Sequence, residues 1–207
     1  MHTTALNNLP FEEAQDYLQK VTFFKALLQA NEDQHEQLLQ VTQVIELAPG
    51  EVIIHKGSKD KIFYSVVKGK LDVFANDSSE NAIGHVLAGQ VVGGLSLISQ
   101  KPKTATLAAA RLSGAILLAT DFSLFGEIDD FSHVDLVTKL CLFRNVVNYT
   151  NLKLDQYRHH SQNPELTKAL AEIAPFTGEK GSLQELIALE KQALNLGRLL
   201  SRWNTSI

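Results

Sequence analysis

VGGLSLISQKPKTATL, residues 92–107, is the most informative motif in this chain of 207 residues. A glycine pair, Gly93-Gly94, opens a short apolar segment, and a Pro-Lys-Thr-Ala-Thr run begins at Pro102 after a spacer. Paired glycines and prolines mark turns in the chain. The stretch therefore predicts two turns that bracket a short apolar segment.

Short apolar runs lie on both sides of this stretch, from residue 41 to residue 126. Glycine-containing turns separate them, at Pro49-Gly50, Lys56-Gly57, Lys68-Gly69 and Ala88-Gly89-Gln90. Short strands at regular spacing with glycine turns are typical of an antiparallel sandwich or barrel. We therefore expect residues 41–126 to form a β domain, with residues 64–73 as its clearest hairpin.

Helical patterns flank the predicted β domain. Residues 1–40 repeat apolar side chains every three or four positions, and Asn31 has the position of a helix N-cap. Residues 127–160 contain a long helix, predicted from residue 132 to about residue 160, with a heptad spacing. That spacing predicts a homodimer seam made of Leu136, Leu140, Phe143, Val147 and Leu154. A single amphipathic helix that lies on the β domain explains the same pattern equally well. Residues 161–207 are expected to form a helical tail.

Five motifs in this order resemble a cyclic nucleotide-binding domain of the catabolite activator superfamily. They are residues 23–27, 47–53, 57–64, 67–71 and 92–107. The resemblance covers about residues 21–160. It implies a mainly β fold, a double-stranded β-helix jelly roll, with helices at its N-terminus, a long dimerisation helix and a C-terminal helical tail.

The resemblance also implies a phosphate-binding cassette at residues 92–107, and "cassette" below means this stretch. In the family, backbone N–H groups of the turn bind a cyclic phosphate, an arginine adds a bidentate contact, and a glutamate accepts from the ribose hydroxyl. The corresponding ligand-binding residues here are Gly93, Gly94, Leu95, Ser96, Lys103, Thr104 and Ala105.

Gly94 stands in the place of the glutamate and Lys103 in that of the arginine. Lysine offers a point charge without the planar fork of arginine. We therefore expect weak or altered binding of cyclic AMP, cyclic GMP or another small anion. In the alternative interpretation the glycine pair is only a turn, Lys103 is a solvated loop charge, and side chains fill the pocket.

The tail distinguishes between classes of regulator. Residues 182–189 are similar to the first helix of a winged helix-turn-helix, and residues 197–202 resemble the end of its recognition helix. No turn residue occurs at positions 190–193, however, and residues 161–207 hold five basic and five acidic residues. A neutral segment without a bend is a poor DNA-binding module. These features favour a packing helix over a DNA-binding end.

The composition argues against several functional classes of protein. The formal net charge of −4 argues against a chain that coats nucleic acid or an anionic membrane, and no apolar run is long enough to span a bilayer. The single cysteine, Cys141, suits a reducing cytoplasm. Dispersed histidines and the lack of catalytic motifs predict neither a metal site nor an enzyme.

These observations predict a cytoplasmic, non-enzymatic regulatory or sensor protein that forms a homodimer and signals to a protein partner. A transcription regulator with a reduced helix-turn-helix is the alternative hypothesis, and a structural dimer module is the third.

Overall fold

The computed structural model describes residues 1–160 and 163–206. Strands and helices follow one another as β1 (His2–Ala5), α1 (Phe11–Gln19), α2 (Thr22–Ala30), α3 (Glu32–Gln40), β2 (Thr42–Leu47), β3 (Val52–Ile54), β4 (Ile62–Phe74), β5 (Gly84–Leu87), β6 (Val91–Val92), α4 (Gly94–Ser99), β7 (Thr106–Ala109), β8 (Ala115–Asp121), α5 (Leu136–His160), α6 (Pro164–Ala171) and α7 (Leu183–Ser206). The strands pair antiparallel in the order β1-β2-β8-β4-β7-β3, and β5 and β6 also pair with β4. The curled sheet with flanking helices confirms the predicted jelly roll.

Strand β4 separates two hydrophobic cores, because successive side chains of a strand point to opposite faces. Phe63 and Val67 pack in the core that the helices cover. Tyr64 and Val66 pack in the core inside the roll. Buried apolar residues therefore occur at consecutive positions of β4, which is the pattern of a strand covered on both faces.

The predicted hairpin at residues 64–73 is wrong. Strand β4 continues through Gly69: residues 62–69 pair with β8, and residues 71–74 pair with β7. The register against β8 shifts between Val66 and Lys68. Gly69 has a φ of +80°, and a side chain there would overlap the carbonyl oxygen of Gly114. The glycine therefore permits a close backbone approach just after the bulge, rather than a chain reversal.

The N-terminal region is helical as predicted, except at its start. Residues His2–Ala5 form β1, which pairs with β2 and makes the edge of the sheet. Helix α3 begins as expected after Asn31, whose Oδ1 accepts a hydrogen bond from the backbone N–H of Gln34 at 3.1 Å. The polar sequence HTTA lacks the apolar alternation of a strand, which is why the pattern did not indicate β1.

Helix α5 begins four residues later than predicted, because Asp135 caps it. Its Oδ1 accepts from the backbone N–H of Thr138 at 2.7 Å. The predicted seam residues are not on the surface: Leu140, Phe143, Val147 and Leu154 are at most 5% exposed within a single chain, and Leu136 is half-buried. Helices α2 and α7 pack against α5. The prediction of a dimer seam at these side chains is therefore wrong, and the interpretation of one helix packed within its own chain is correct.

Helix α7 is continuous over residues 183–206, so the described residues contain no bend between the two parts of the suggested helix-turn-helix. Its apolar side chains Leu186, Leu189, Ala193 and Leu196 are buried against the rest of the chain. The expectation of a packing helix is confirmed. Ser161, Gln162 and Ile207 of the predicted tail lie outside the described residues. Within the described part of the chain, no helix is both long and apolar enough to cross a membrane.

Candidate functional site

A cavity of about 780 Å³ lies between the inside of the jelly roll, the cassette, and helices α5 and α7. Strand residues Ile54, Val73 and Val86 give it an apolar surface. All the predicted ligand-binding residues, at positions 93–96 and 103–105, line it. The alternative in which side chains fill the pocket is therefore wrong.

Gly93 occupies a backbone position that only glycine tolerates well. Its φ is +90°, and a Cβ atom there would lie 2.6 Å from the carbonyl oxygen of Ile62 and 3.1 Å from Lys103 Nζ. The Gly93 carbonyl accepts hydrogen bonds from Ser96 Oγ at 2.9 Å and from the backbone N–H of Leu97 at 3.1 Å. Helix α4 starts at the next residue, and the N–H groups of a first helical turn have no intrahelical acceptor. The turn thus leaves backbone donors beside the cavity.

Gly94 is buried against helix α5. A Cβ atom at this position would overlap Val146 Cγ2 and lie 3.4 Å from Phe63 Cε2. The space that a glutamate side chain would need is therefore taken by the valine. The cassette and α5 are complementary in a way that excludes an acidic side chain at position 94.

Lys103 is buried, with 5% of its side chain exposed. Its ammonium lies 3.1 Å from the Asp60 carboxylate and donates to the carbonyl oxygen of Ile62 at 3.4 Å. Burial lowers the pKa of Lys103, and the negative charge of Asp60 opposes that shift. The interpretation of Lys103 as a solvated loop charge is wrong. The point charge expected for a phosphate is already paired with a carboxylate.

Helices α5 and α7 supply a second wall that the sequence analysis missed. Tyr149, Thr150 and Lys153 of α5 line the cavity, as do Arg198 and Arg202 of α7. Lys153 is partly buried, its ammonium lies 5.9 Å from the centre of the Tyr157 ring, and burial lowers its pKa to about 8. The sequence held one signal for this residue, since Val146, Tyr149 and Lys153 follow a helical spacing of three and four.

The described charged residues that line the cavity are all positive. They are Lys101, Lys103, Lys153, Arg198 and Arg202, with no aspartate or glutamate among the described lining residues. The whole chain, in contrast, has a formal net charge of −4. Concave walls lined by cations raise the local concentration of anions. A small anionic ligand fits this arrangement.

Comparison with known protein families agrees with the fold. Residues 44–121 match the family model described as "Cyclic nucleotide-binding domain". These residues belong to the cyclic nucleotide-binding domain family. The family resemblance is thereby confirmed, and four of the five motifs lie within the matched residues: 47–53, 57–64, 67–71 and 92–107.

Two relatives of the domain are regulatory proteins. A cAMP-dependent protein kinase regulatory subunit from Blastocladiella emersonii is 33% identical over 100 residues, which are 47% of this chain and 24% of that protein. A protein of the same name from Debaryomyces hansenii is 32% identical over 83 residues, which are 40% of this chain and 18% of that protein. The matches therefore span about a quarter or less of the length of these relatives.

A solved structure has the same fold. It comes from Geobacter metallireducens GS-15, is described as a candidate cyclic nucleotide-binding protein, and is 17% identical to this chain. The two superimpose with a TM-score of 0.53, over 68% of this chain and 96% of that one.

No group of three or more metal-ligating side chains occurs in the described part of this chain. Two histidines of the β domain each contact one aspartate. His55 Nδ1 lies 3.0 Å from Asp77 Oδ2, and His85 Nδ1 lies 2.8 Å from Asp72 Oδ1.

Proposed function

We propose that this chain is a non-enzymatic regulatory module whose cyclic nucleotide-binding domain senses a small anionic ligand. Cyclic AMP and cyclic GMP are the first candidates. The observation that carries the proposal is the cavity of about 780 Å³ between the cassette, α5 and α7, whose described lining residues include five cations and no carboxylate. Small-molecule sites have volumes of about 300–1,000 Å³, so the cavity has room for a nucleotide.

Binding is expected to be weaker than in a domain with the glutamate and arginine of the family. Gly94 provides no acceptor for a ribose hydroxyl, and Lys103 must share its charge with Asp60. A hydrogen bond to a charged group contributes about 1.5–3 kcal/mol, which corresponds to about a tenfold to hundredfold change in affinity. The backbone donors of the Gly93 turn do not depend on these side chains and remain available to a phosphate.

Occupancy of the cavity would change the packing of the helices, because a bound ligand would contact both the cassette and α7. Helix α7 is held on α5 by Arg144, whose Nε and Nη2 donate to Glu185 Oε1 and Oε2 at 2.8 and 2.6 Å. A ligand that binds one position of α7 more tightly than another shifts its population. We propose that a protein partner reads this shift, by analogy with the relatives that are regulatory subunits.

A homodimer remains part of the proposal, although through a surface other than the buried side chains of α5. A reducing cytoplasm is the proposed location, because the single cysteine, Cys141, is a buried free thiol.

Calorimetry with cyclic AMP and cyclic GMP tests the proposal, on the wild type and on the variants Asp60→Asn and Lys103→Gln. We expect dissociation constants in the micromolar to millimolar range. Asp60→Asn should raise the affinity severalfold, because it frees the Lys103 charge, and Lys103→Gln should lower it. Lys59→Gln is the matched control, since Lys59 is exposed and does not line the cavity. Absence of heat for both nucleotides at millimolar concentration, in the wild type and in Asp60→Asn, would contradict the proposal.

A further inference from the structure

The cations of the cavity belong to two separate walls. Lys103 lies on the cassette and is paired with Asp60. Lys153 lies on α5, and among the described residues it forms no ion pair with a carboxylate; its ammonium instead sits over the Tyr157 ring. A second wall of positive charge therefore stands apart from the phosphate-binding turn.

Lys153 is placed where an unpaired ammonium is unfavourable. Its side chain is partly buried among the groups that line the cavity, with Tyr149 one turn before it on α5. Burial of the side chain lowers its pKa. Partly buried charges are normally paired or bind a ligand of opposite charge. A bound anion would supply the counter-charge that the described residues do not.

Helix α7 brings two more cations to the same wall. Arg198 and Arg202 both line the cavity and are four residues apart, so their side chains share one face of the helix. Like charges at this spacing destabilise an isolated helix. Both side chains are exposed, and Arg198 Nη1 donates to Asn195 Oδ1 of the same helix at 3.4 Å. Their shared position suits an anionic group that enters the cavity.

From this arrangement we infer that the cavity contains a second anion subsite, formed by Lys153, Arg198 and Arg202, and that its ligand is a nucleotide with two phosphate groups. One phosphate binds the backbone donors of the Gly93 turn, as in the proposed function on which this inference rests. The other binds the cations of α5 and α7. The cavity volume of about 780 Å³ lies in the upper part of the usual range for small-molecule sites, which suits a ligand larger than a cyclic mononucleotide.

The test compares probes with one and two phosphates on an adenosine scaffold: cyclic AMP, adenosine 3′,5′-bisphosphate and cyclic di-AMP. Calorimetry on the full chain uses the wild type, Lys153→Gln and Arg198→Gln. Lys153→Arg keeps the charge and checks that any loss of binding reflects charge rather than folding. Lys191→Gln is the matched control, because Lys191 is an exposed cation of α7 that does not line the cavity.

We expect at least one two-phosphate probe to bind the wild type about tenfold more tightly than cyclic AMP, as an additional charge-assisted contact predicts. Lys153→Gln and Arg198→Gln should each weaken that probe about fivefold to tenfold and cyclic AMP less than about twofold, while Lys153→Arg and Lys191→Gln should change neither.

Two results would overturn the inference, and they differ. If cyclic AMP binds and neither two-phosphate probe binds more tightly, or if Lys153→Gln weakens all probes equally, the second subsite is wrong and the proposed function stands. If no probe binds at millimolar concentration, the proposed function fails as well.

Discussion

Val146 of α5 packs directly on Gly94 of the cassette, so that a Cβ atom at position 94 would overlap its Cγ2 atom. The contact leaves no room for a larger side chain at position 94 while α5 keeps its place. An acidic side chain at position 94 would have to displace a buried valine that holds α5 against the roll. The glycine at position 94 and the close docking of the long helix are therefore two aspects of one packing arrangement.

The first prediction concerns this contact. Gly94→Ala should lower the free energy of unfolding by about 1–3 kcal/mol, because the added methyl group overpacks the interface. Val146→Ala in the same chain should relieve the overlap, so the double variant loses less stability than the sum of the two single changes. Urea denaturation measures all three. Val137→Ala, on an exposed part of α5, should combine additively with Gly94→Ala; equal coupling at both valines would contradict the contact.

The second prediction concerns Lys139, a fully buried cation of α5. Its ammonium donates to the carbonyl oxygens of Glu127 and Asp130 and lies between the rings of Phe125 and Phe131. It thus holds the loop before α5 on the helix. Lys139→Met should lower the free energy of unfolding by about 3 kcal/mol, because buried carbonyl groups lose a charged donor.

Thermal and urea denaturation check this cost. Lys168→Met is the control, since Lys168 is exposed and surface changes usually stay within about 0.5 kcal/mol. Similar losses for both variants would mean that Lys139 does not fix the loop.

The jelly roll could be predicted from the sequence because the patterns that indicate it are each confined to a short stretch of the chain. Strand spacing, glycine turns and the cassette all lie within residues 41–126, and each element is short enough to be recognised alone. The error at Lys68-Gly69 shows the limit of such patterns. A glycine with positive φ looks the same in sequence whether it reverses the chain or lets Gly114 of a neighbouring segment approach. Only the pairing of β4 with both β8 and β7 distinguishes the two cases.

The candidate site was half predictable for a related reason. The cassette wall is contiguous in sequence, and its residues could be named from their motif. The opposite wall depends on where α5 and α7 pack, and Arg198 follows the cassette by about ninety residues. Heptad spacing could not show whether Leu140 and Phe143 face a second chain or helices of their own chain, because both environments need the same apolar row.

The third prediction concerns the ion pair between Arg144 and Glu185, which joins α5 to α7. Both carboxylate oxygens accept from the guanidinium, and Glu185 Oε2 also accepts from the backbone N–H of Gly181 at 2.6 Å. Glu185→Gln should lower the free energy of unfolding by about 1–2 kcal/mol. The value is modest because solvent screens the partly exposed Arg144. Hydrogen exchange of the α7 backbone should increase. Arg158→Gln, which breaks the surface pair with Asp155, is the control and should leave α7 unchanged.

The same pair gives a fourth prediction, on pH. The hydrogen bonds from Arg144 lower the pKa of Glu185 below its ordinary value of 4.5. A lowered carboxyl pKa contributes stability that is present above the unfolded value and is lost as the pH falls through the folded value. The stability difference between wild type and Glu185→Gln should therefore be constant above about pH 5.5 and shrink below pH 4.5. A difference that does not change between pH 7 and pH 3 would contradict the role of the carboxylate.

The last prediction separates ligand binding from stability at Lys153. Burial lowers the pKa of this ammonium from 10.5 to about 8. Between pH 8 and pH 10.5, Lys153 is therefore protonated in the unfolded chain and neutral in the folded chain. Stability should then rise with pH across that interval, and the protonated form opposes folding at pH 7. Lys153→Met should raise the free energy of unfolding without ligand by about 1–2 kcal/mol at pH 7, after discounting for partial exposure.

The expected gain at Lys153 should disappear above about pH 10.5, where the lysine is neutral in both states. Stability rises with pH, but the affinity of the wild type for a two-phosphate probe should fall as the pH rises through 8. The neutral amine of Lys153 no longer attracts a phosphate. Arg198 and Arg202 keep their charge over this range, so the decline measures Lys153 alone among the cations of that wall. Urea denaturation at pH 7 and pH 10.5, with calorimetry between pH 7 and pH 9, checks both trends. A Lys153→Met variant that is less stable than wild type at pH 7 would show that the ammonium is a structural group and not a site held for a ligand.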